Sequence, residues 1–151
     1  MTRTAHCCCG ALRVEVSGEP DAVVACHCGE CQRRTGSVLG VGAYFKREHV
    51  QTKGPYNTYV RRAPEGRKVS NHFCPTCGTT VLWEAELRPD NIGVAVGAFG
   101  DSRFPGPTRI GLGGVEARVG RLRPRSPASP QRQAVLRGNQ CGAPRWLSLS
   151  G

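Results

Sequence analysis

The sequence predicts a mostly β fold. Residues 1–106 read as a small antiparallel β-sheet domain, sandwich-like and stapled through its cysteines, and residues 107–151 as a disordered tail. Three observations carry this. About eight short segments alternate apolar and polar residues between turn signals, with no convincing long helix. Seven of the nine cysteines fall in three tight groups. Composition changes abruptly near Gly106, beyond which the chain has no Lys and is rich in Arg, Pro, Gly and Ser.

Leu12, Val14 and Val16 alternate with Arg13, Glu15 and Ser17, the period of a half-buried strand. Gly18–Asp21 is a turn, and Ala22–Ala25 is a short apolar run that delivers Cys26 from a strand end. Cys26–Cys31 is a loop, with one helical turn through Glu30–Thr35. Val38–Phe45 is a strand whose Gly40 and Gly42 mark a bulge or a close backbone approach. Lys46–His49 and Gly54-Pro55 are turns. Tyr56–Arg62 and Lys68–Phe73 form a hairpin through residues 63–66, leading into Cys74. Thr79–Leu87 is a strand with Val81 and Trp83 on one face. Ile92–Ala98 is another, whose intervening small residues imply that a second surface packs closely there. About a hundred residues bury only a modest core, which metal clips would reinforce.

The cysteine groups are Cys7-x-Cys9-Gly10, Cys26-x-Cys28-x-x-Cys31 and Cys74-x-x-Cys77-Gly78. A structural zinc takes four protein ligands, so Cys7, Cys9, Cys74 and Cys77 close one tetrahedron between distant parts of the chain. Cys26, Cys28 and Cys31 then remain as three ligands of a second zinc, whose fourth position stays open for water or substrate. The competing reading is a closed Cys₃His site completed by His27 or His72. Cys8 and Cys141 match no group.

The chain runs from Met1 into Cys7 without the apolar stretch of a secretory signal, and no run is long enough to span a membrane. Cysteines so spaced in a cytoplasmic protein bind metal rather than form disulfides. The formal charge is +10, but up to Gly100 twelve basic residues face nine acidic ones, whereas the rest holds nine Arg and two acids. Seven thiolates and two Zn²⁺ bring the first hundred residues to about neutral, so a nucleic-acid partner is expected only through the tail. Trp146 is the single aromatic residue there, which leaves little for base stacking.

Cys7-x-Cys9-Gly10-Ala11-Leu12-Arg13, the stretch Cys26–Gly36, the stretch His72–Thr79 and Val94–Phe99 together resemble the glutathione-dependent formaldehyde-activating enzyme family, whose domain is shared with centromere protein V. The resemblance runs from about Cys7 to Pro107. It implies a β-rich fold, a structural zinc on Cys7, Cys9, Cys74 and Cys77, and a second zinc on Cys26, Cys28 and Cys31 where glutathione chemistry occurs. The departure follows Pro107-Thr108, where such proteins continue with a further strand and a Trp-containing stretch. The tail here matches neither, as though disordered or read from another frame.

The reaction implied is a carbon–sulfur lyase-type condensation of glutathione with formaldehyde to S-(hydroxymethyl)glutathione, or chemistry on a related thiol adduct. Cys26, Cys28 and Cys31 are then the catalytic set. Arg33 and Arg34 are candidates for glutathione carboxylates, with Thr35 and Gly36 as hydroxyl and backbone donors. Glu30 and His49 are acid–base candidates by proximity alone, and Trp83, Tyr44 and Phe45 are read as core. Against this stand a non-catalytic zinc module that binds glutathione or, through the tail, nucleic acid, and a structural or storage zinc protein. Oligomeric state is not legible.

Overall fold

The structure is a computed structural model that describes residues 1–63 and 65–111, within the first of the chain's two compact units, Met1–Ala117. The described strands are β1 (Thr2–His6), β2 (Arg13–Ser17), β3 (Ala22–Cys26), β4 (Gly40–Lys46), β5 (Val50–Lys53), β6 (Asn57–Arg62), β7 (Lys68–Phe73), β8 (Thr80–Ala85), β9 (Asn91–Ala95) and β10 (Arg109–Gly111), with one α-helix, α1 (Gly29–Thr35). They form a three-stranded sheet, β1-β2-β5, and a seven-stranded sheet, β10-β3-β4-β9-β8-β7-β6. The mostly β expectation therefore holds. All pairings are antiparallel except β10, which runs parallel to β3.

Alternation decides which face of each strand goes inward. Ala5, Val14 and Val16 of the small sheet and Ala43, Phe45, Ile92 and Val94 of the large one meet in one buried cluster. Register then sorts the opposite face of the large sheet: Gly42 and Tyr44 of β4, Gly93 of β9, Trp83 of β8 and Asn71 of β7 lie in adjoining rows. That outer face carries the cavity described below.

Several elements differ from expectation. β1 and β5 were not foreseen, because each turns at most one small or half-buried apolar residue inward. α1 is a seven-residue helix rather than a single turn. It buries none of its residues, so it lacks the apolar period that would reveal it. Its ends are marked instead by Glu30 in the first turn, Arg33 and Arg34 in the last, and Gly36 as a left-handed cap. The strand expected to reach Ala98 stops at Ala95 and tightens into a 3-10 turn, Val96–Phe99. There Phe99 turns to stack on Phe104 at 4.6 Å and to tilt against Phe45 at 6.3 Å. β10 lies beyond Gly106, where the sequence pattern indicated no structure; Thr108 N–H donates to Val23 O at 2.9 Å as the chain enters it. The remainder of the tail, including Cys141 and Trp146, lies outside the described residues.

Candidate metal centres

Two equivalent turns build the first centre. In each, the first cysteine's carbonyl accepts the N–H of the glycine that follows the second cysteine: Gly10 to Cys7 at 3.0 Å and Gly78 to Cys74 at 2.9 Å. Each then closes back on itself, Cys7 N–H to Leu12 O and Cys74 N–H to Thr79 O. The reversal requires positive φ at Gly10 (77°) and Gly78 (73°), which explains glycine after each pair. Backbone donors also face the sulfurs, with Leu12 N–H 3.2 Å from Cys7 Sγ.

The sulfurs of Cys7, Cys9, Cys74 and Cys77 all lie within 4.8 Å of one another, with Cys7 and Cys74 buried. Cys7–Cys9 and Cys9–Cys74 are 3.5 and 3.6 Å apart. A zinc tetrahedron with Zn–S near 2.3 Å has edges of about 3.8 Å, and a disulfide would need about 2.05 Å, so the donor set fits zinc and not a bridge. The thiol pKa values split within the cluster. The Thr79 hydroxyl, 3.3 Å away, leads the groups that hold Cys77 down to about 5. For Cys9 the Ala11 N–H lowers the value, but the Cys7 thiol, burial and the Cys74 and Cys77 thiols together push it up to about 12. Four thiols this close ionise together only around a cation.

The second centre sits where β3 ends. Cys26 is its last residue, Cys28 caps α1 in an extended conformation, and Cys31 lies in the helix's first turn, so a strand end and a helix start bring three sulfurs within 4.8 Å of one another. Cys31 donates to Cys26 and holds it down to about 5, while the same bond drives Cys31 upward. Among the described residues neither histidine joins this cluster. His72 is buried elsewhere, with Nδ1 2.9 Å from the Thr58 hydroxyl and Nε2 3.2 Å from Glu84. His27 Nε2 is buried without a hydrogen-bond partner, outside the three-sulfur group. The donor set therefore suits zinc with a fourth position free of protein side chains.

These sulfurs open onto a cavity of about 890 Å³ on the outer face of the large sheet. Trp83 and Tyr44 line it, meeting edge to face at 6.1 Å, whereas Phe45 alone of the three expected core aromatics belongs to the buried cluster. The cavity collects cations that local reading could not assemble: Arg33 and Arg34 from α1, Arg61, Arg67 and Lys68 from the β6–β7 hairpin, and Arg88 and Arg109 beyond. Only two carboxylates, Glu30 and Glu65, line it with them. Each is spent locally, Glu30 on Arg33 at 2.6 Å and Glu65 on Arg67 at 3.5 Å. Arg34, Arg61 and Arg88 are half-buried, and none has a carboxylate partner among the described residues. The first hundred residues carry twelve basic residues against nine acidic ones, and the excess of cations is concentrated at this one place.

Of the other expected site residues, Thr35 and Gly36 do not line the cavity. The Thr35 hydroxyl donates to Cys31 O at 2.8 Å, and Gly36 closes the helix. His49 is exposed in a 3-10 turn next to Glu48 and lies away from the cavity wall. No described helix is long and apolar enough to cross a membrane.

The family model described as glutathione-dependent formaldehyde-activating enzyme matches residues 2–110. Among solved structures, the crystal structure of a Rhodobacter sphaeroides protein is similar over 72% of this chain and 99% of that one, with a TM-score of 0.55 and 22% identity. At that identity the likeness concerns the fold alone. Among curated proteins none matches significantly.

Proposed function

We propose a function on the premise that this chain belongs to the glutathione-dependent formaldehyde-activating enzyme family. The reaction is addition of the glutathione thiol to formaldehyde, giving S-(hydroxymethyl)glutathione, or the equivalent step on a related thiol adduct. One observation carries it: three converging sulfurs, with no fourth side-chain donor among the described residues, face a cavity whose cations outnumber its carboxylates seven to two.

Cys7, Cys9, Cys74 and Cys77 would hold one zinc as a staple, and Cys26, Cys28 and Cys31 a second. Bound there, the second zinc would supply a position at which a visiting thiol loses its proton. The protein's own residues do the rest. Half-buried Arg61 and Arg88 attract the glutathione carboxylates and hold them in bidentate fashion. Arg61 also favours thiolate at Cys26 through its charge. Trp83 and Tyr44 wall off one side of the cavity from water, so a bound thiol and a small aldehyde meet in a confined volume. A reducing compartment such as the cytoplasm keeps these cysteines available.

A second reading, carriage of glutathione without acceleration, is favoured by the donor set alone, since three anionic sulfurs mute the acidity of the metal they hold. The deciding measurement is native mass spectrometry of the metal-loaded protein, followed by optical spectra of its cobalt form. Two metals per chain are expected, with glutathione shifting the bands of one. Exchange NMR of glutathione with formaldehyde then separates enzyme from carrier. If glutathione leaves both metals unperturbed, the protein is a structural or storage zinc protein instead.

A further inference from the structure

Three glycines inside strands make room for one stacked unit beside the second centre. A Cβ at Gly42 or Gly93 would run into the Trp83 ring, and one at Gly40 would lie 2.9 Å from Arg34 Nη2 and 3.4 Å from Cys31 Cβ. Glycine weakens a strand interior, so Gly42 and Gly93 mark a required close approach. The Trp83 ring rests on this cleared backbone. The Arg34 guanidinium covers it, 4.5 Å from the ring centroid, and Tyr44 meets its edge.

Arg34 follows Cys31 by three residues in α1, so the two project from one helix face. Their distances to the common point at Gly40 place the guanidinium next to the three-sulfur cluster. Arg33 contrasts with it: 76% of its side chain is exposed, and it is paired with Glu30. Arg34 is instead half-buried, held by an aromatic face, and without a carboxylate partner among the described residues. A guanidinium fixed in this way presents donors at little entropic cost, which suits a charge that appears only during reaction.

We propose that Arg34, clamped on Trp83, is a catalytic residue that binds the oxygen of the aldehyde as a thiolate adds to it. This rests on the reaction class proposed above and assigns it an oxyanion-binding group. The thiolate sulfur forms a bond to the carbonyl carbon, the C=O π pair moves onto oxygen, and Arg34 donates hydrogen bonds to that oxygen. Water then protonates it, replacing the proton that the thiol released on ionising. No electron leaves or enters the pair of reactants.

The test uses the full-length zinc-loaded protein and two probe thiols, mercaptoacetate and 2-mercaptoethanol. They carry oxygen at the same distance from sulfur but differ in charge. Calorimetric titration should show mercaptoacetate binding about 10- to 100-fold more tightly, the range for a hydrogen bond to a charged group. Arg34→Gln should lower that preference severalfold, Arg61 and Arg88 retaining the rest, while leaving zinc content and 2-mercaptoethanol affinity unchanged. In turnover it should lower kcat and leave the KM for glutathione alone. Equal affinity of the two thiols, a preference unchanged in Arg34→Gln, or a KM effect at constant kcat overturns this role while sparing the reaction class. If neither thiol binds, the reaction class falls, and this assignment with it. If Arg34→Gln does not take up two metals, Arg34→Lys replaces it: a severalfold loss of preference supports the role, and an unchanged preference overturns it.

Discussion

Cys9 Sγ and Cys74 Sγ lie 3.6 Å apart although 65 residues separate them. The contact ties the turn after β1 to the turn after β7, which belong to different sheets. The two cysteine clusters therefore differ in what they connect. One joins the two sheets, whereas the other joins only a strand end to the helix that follows it.

That difference predicts unequal damage. Cys74→Ser should leave three sulfurs at the buried staple and unfold the domain, because metal binding there is coupled to folding. Cys28→Ser should lose one metal and keep the β circular-dichroism spectrum. Metal analysis together with thermal melts checks both. Equal loss of fold in the two variants would contradict the division.

The Trp83 seat gives a packing prediction. Gly42→Ala places a methyl group in the ring's volume, where a rigid buried ring rather than a flexible chain end must yield, so it should cost about 1–3 kcal/mol. Paired with Trp83→Leu the same change should cost less than about 1 kcal/mol, a non-additivity expected of residues in direct contact. Denaturant unfolding of the metal-loaded protein supplies all four corners of the cycle.

Arg47 donates to Glu84 at 2.6 Å, and first through this bond it holds the Glu84 carboxyl below its usual value of 4.5. A carboxyl depressed on folding adds stability that is present above its unfolded pKa and lost as pH falls through the folded one. Both partners are substantially exposed, so Arg47→Gln should cost only about 0.5 kcal/mol at neutral pH. The gap between variant and parent should close below pH 4.5, where acid titrates the carboxyl. A gap that persists in acid would assign the effect to packing of the arginine stem.

β10 pairs Gly111 with Cys26, the first sulfur of the open cluster. A chain ending at Gly106 should keep the four-sulfur staple but hold metal at Cys26, Cys28 and Cys31 about tenfold less tightly, the effect of one or two lost backbone hydrogen bonds. Competition with a chromogenic chelator measures this. Unchanged affinity would show that β3 holds Cys26 in place unaided.

The alternation of Leu12–Ser17, the β-branched run before Cys26 and the hairpin before Cys74 are short-range signals of strands with one buried face. Elements without such a face escaped: β1 and β5 offer little inward apolar surface, and α1 packs none of its residues. Trp83 is buried as expected, but not in the inner cluster. Its strand position turns it to the outer face, where Gly42 and Gly93 admit it.

The sequence by itself determined the division of seven cysteines into a set of four and a set of three, because ligand spacing and the count of four are local arithmetic. Only the tertiary structure decided what surrounds the set of three. Arg34, Arg61, Arg88, Tyr44 and Trp83 come from a helix, a hairpin, a turn and two strands, and strand register together with the packing of the helix and turn brings them to one cavity. The physical reason is that each pair or triplet of cysteines is a local motif whose ligands can be counted to four, whereas charges and rings scattered along the chain carry no such count and meet only once long-range packing has set which way each side chain points.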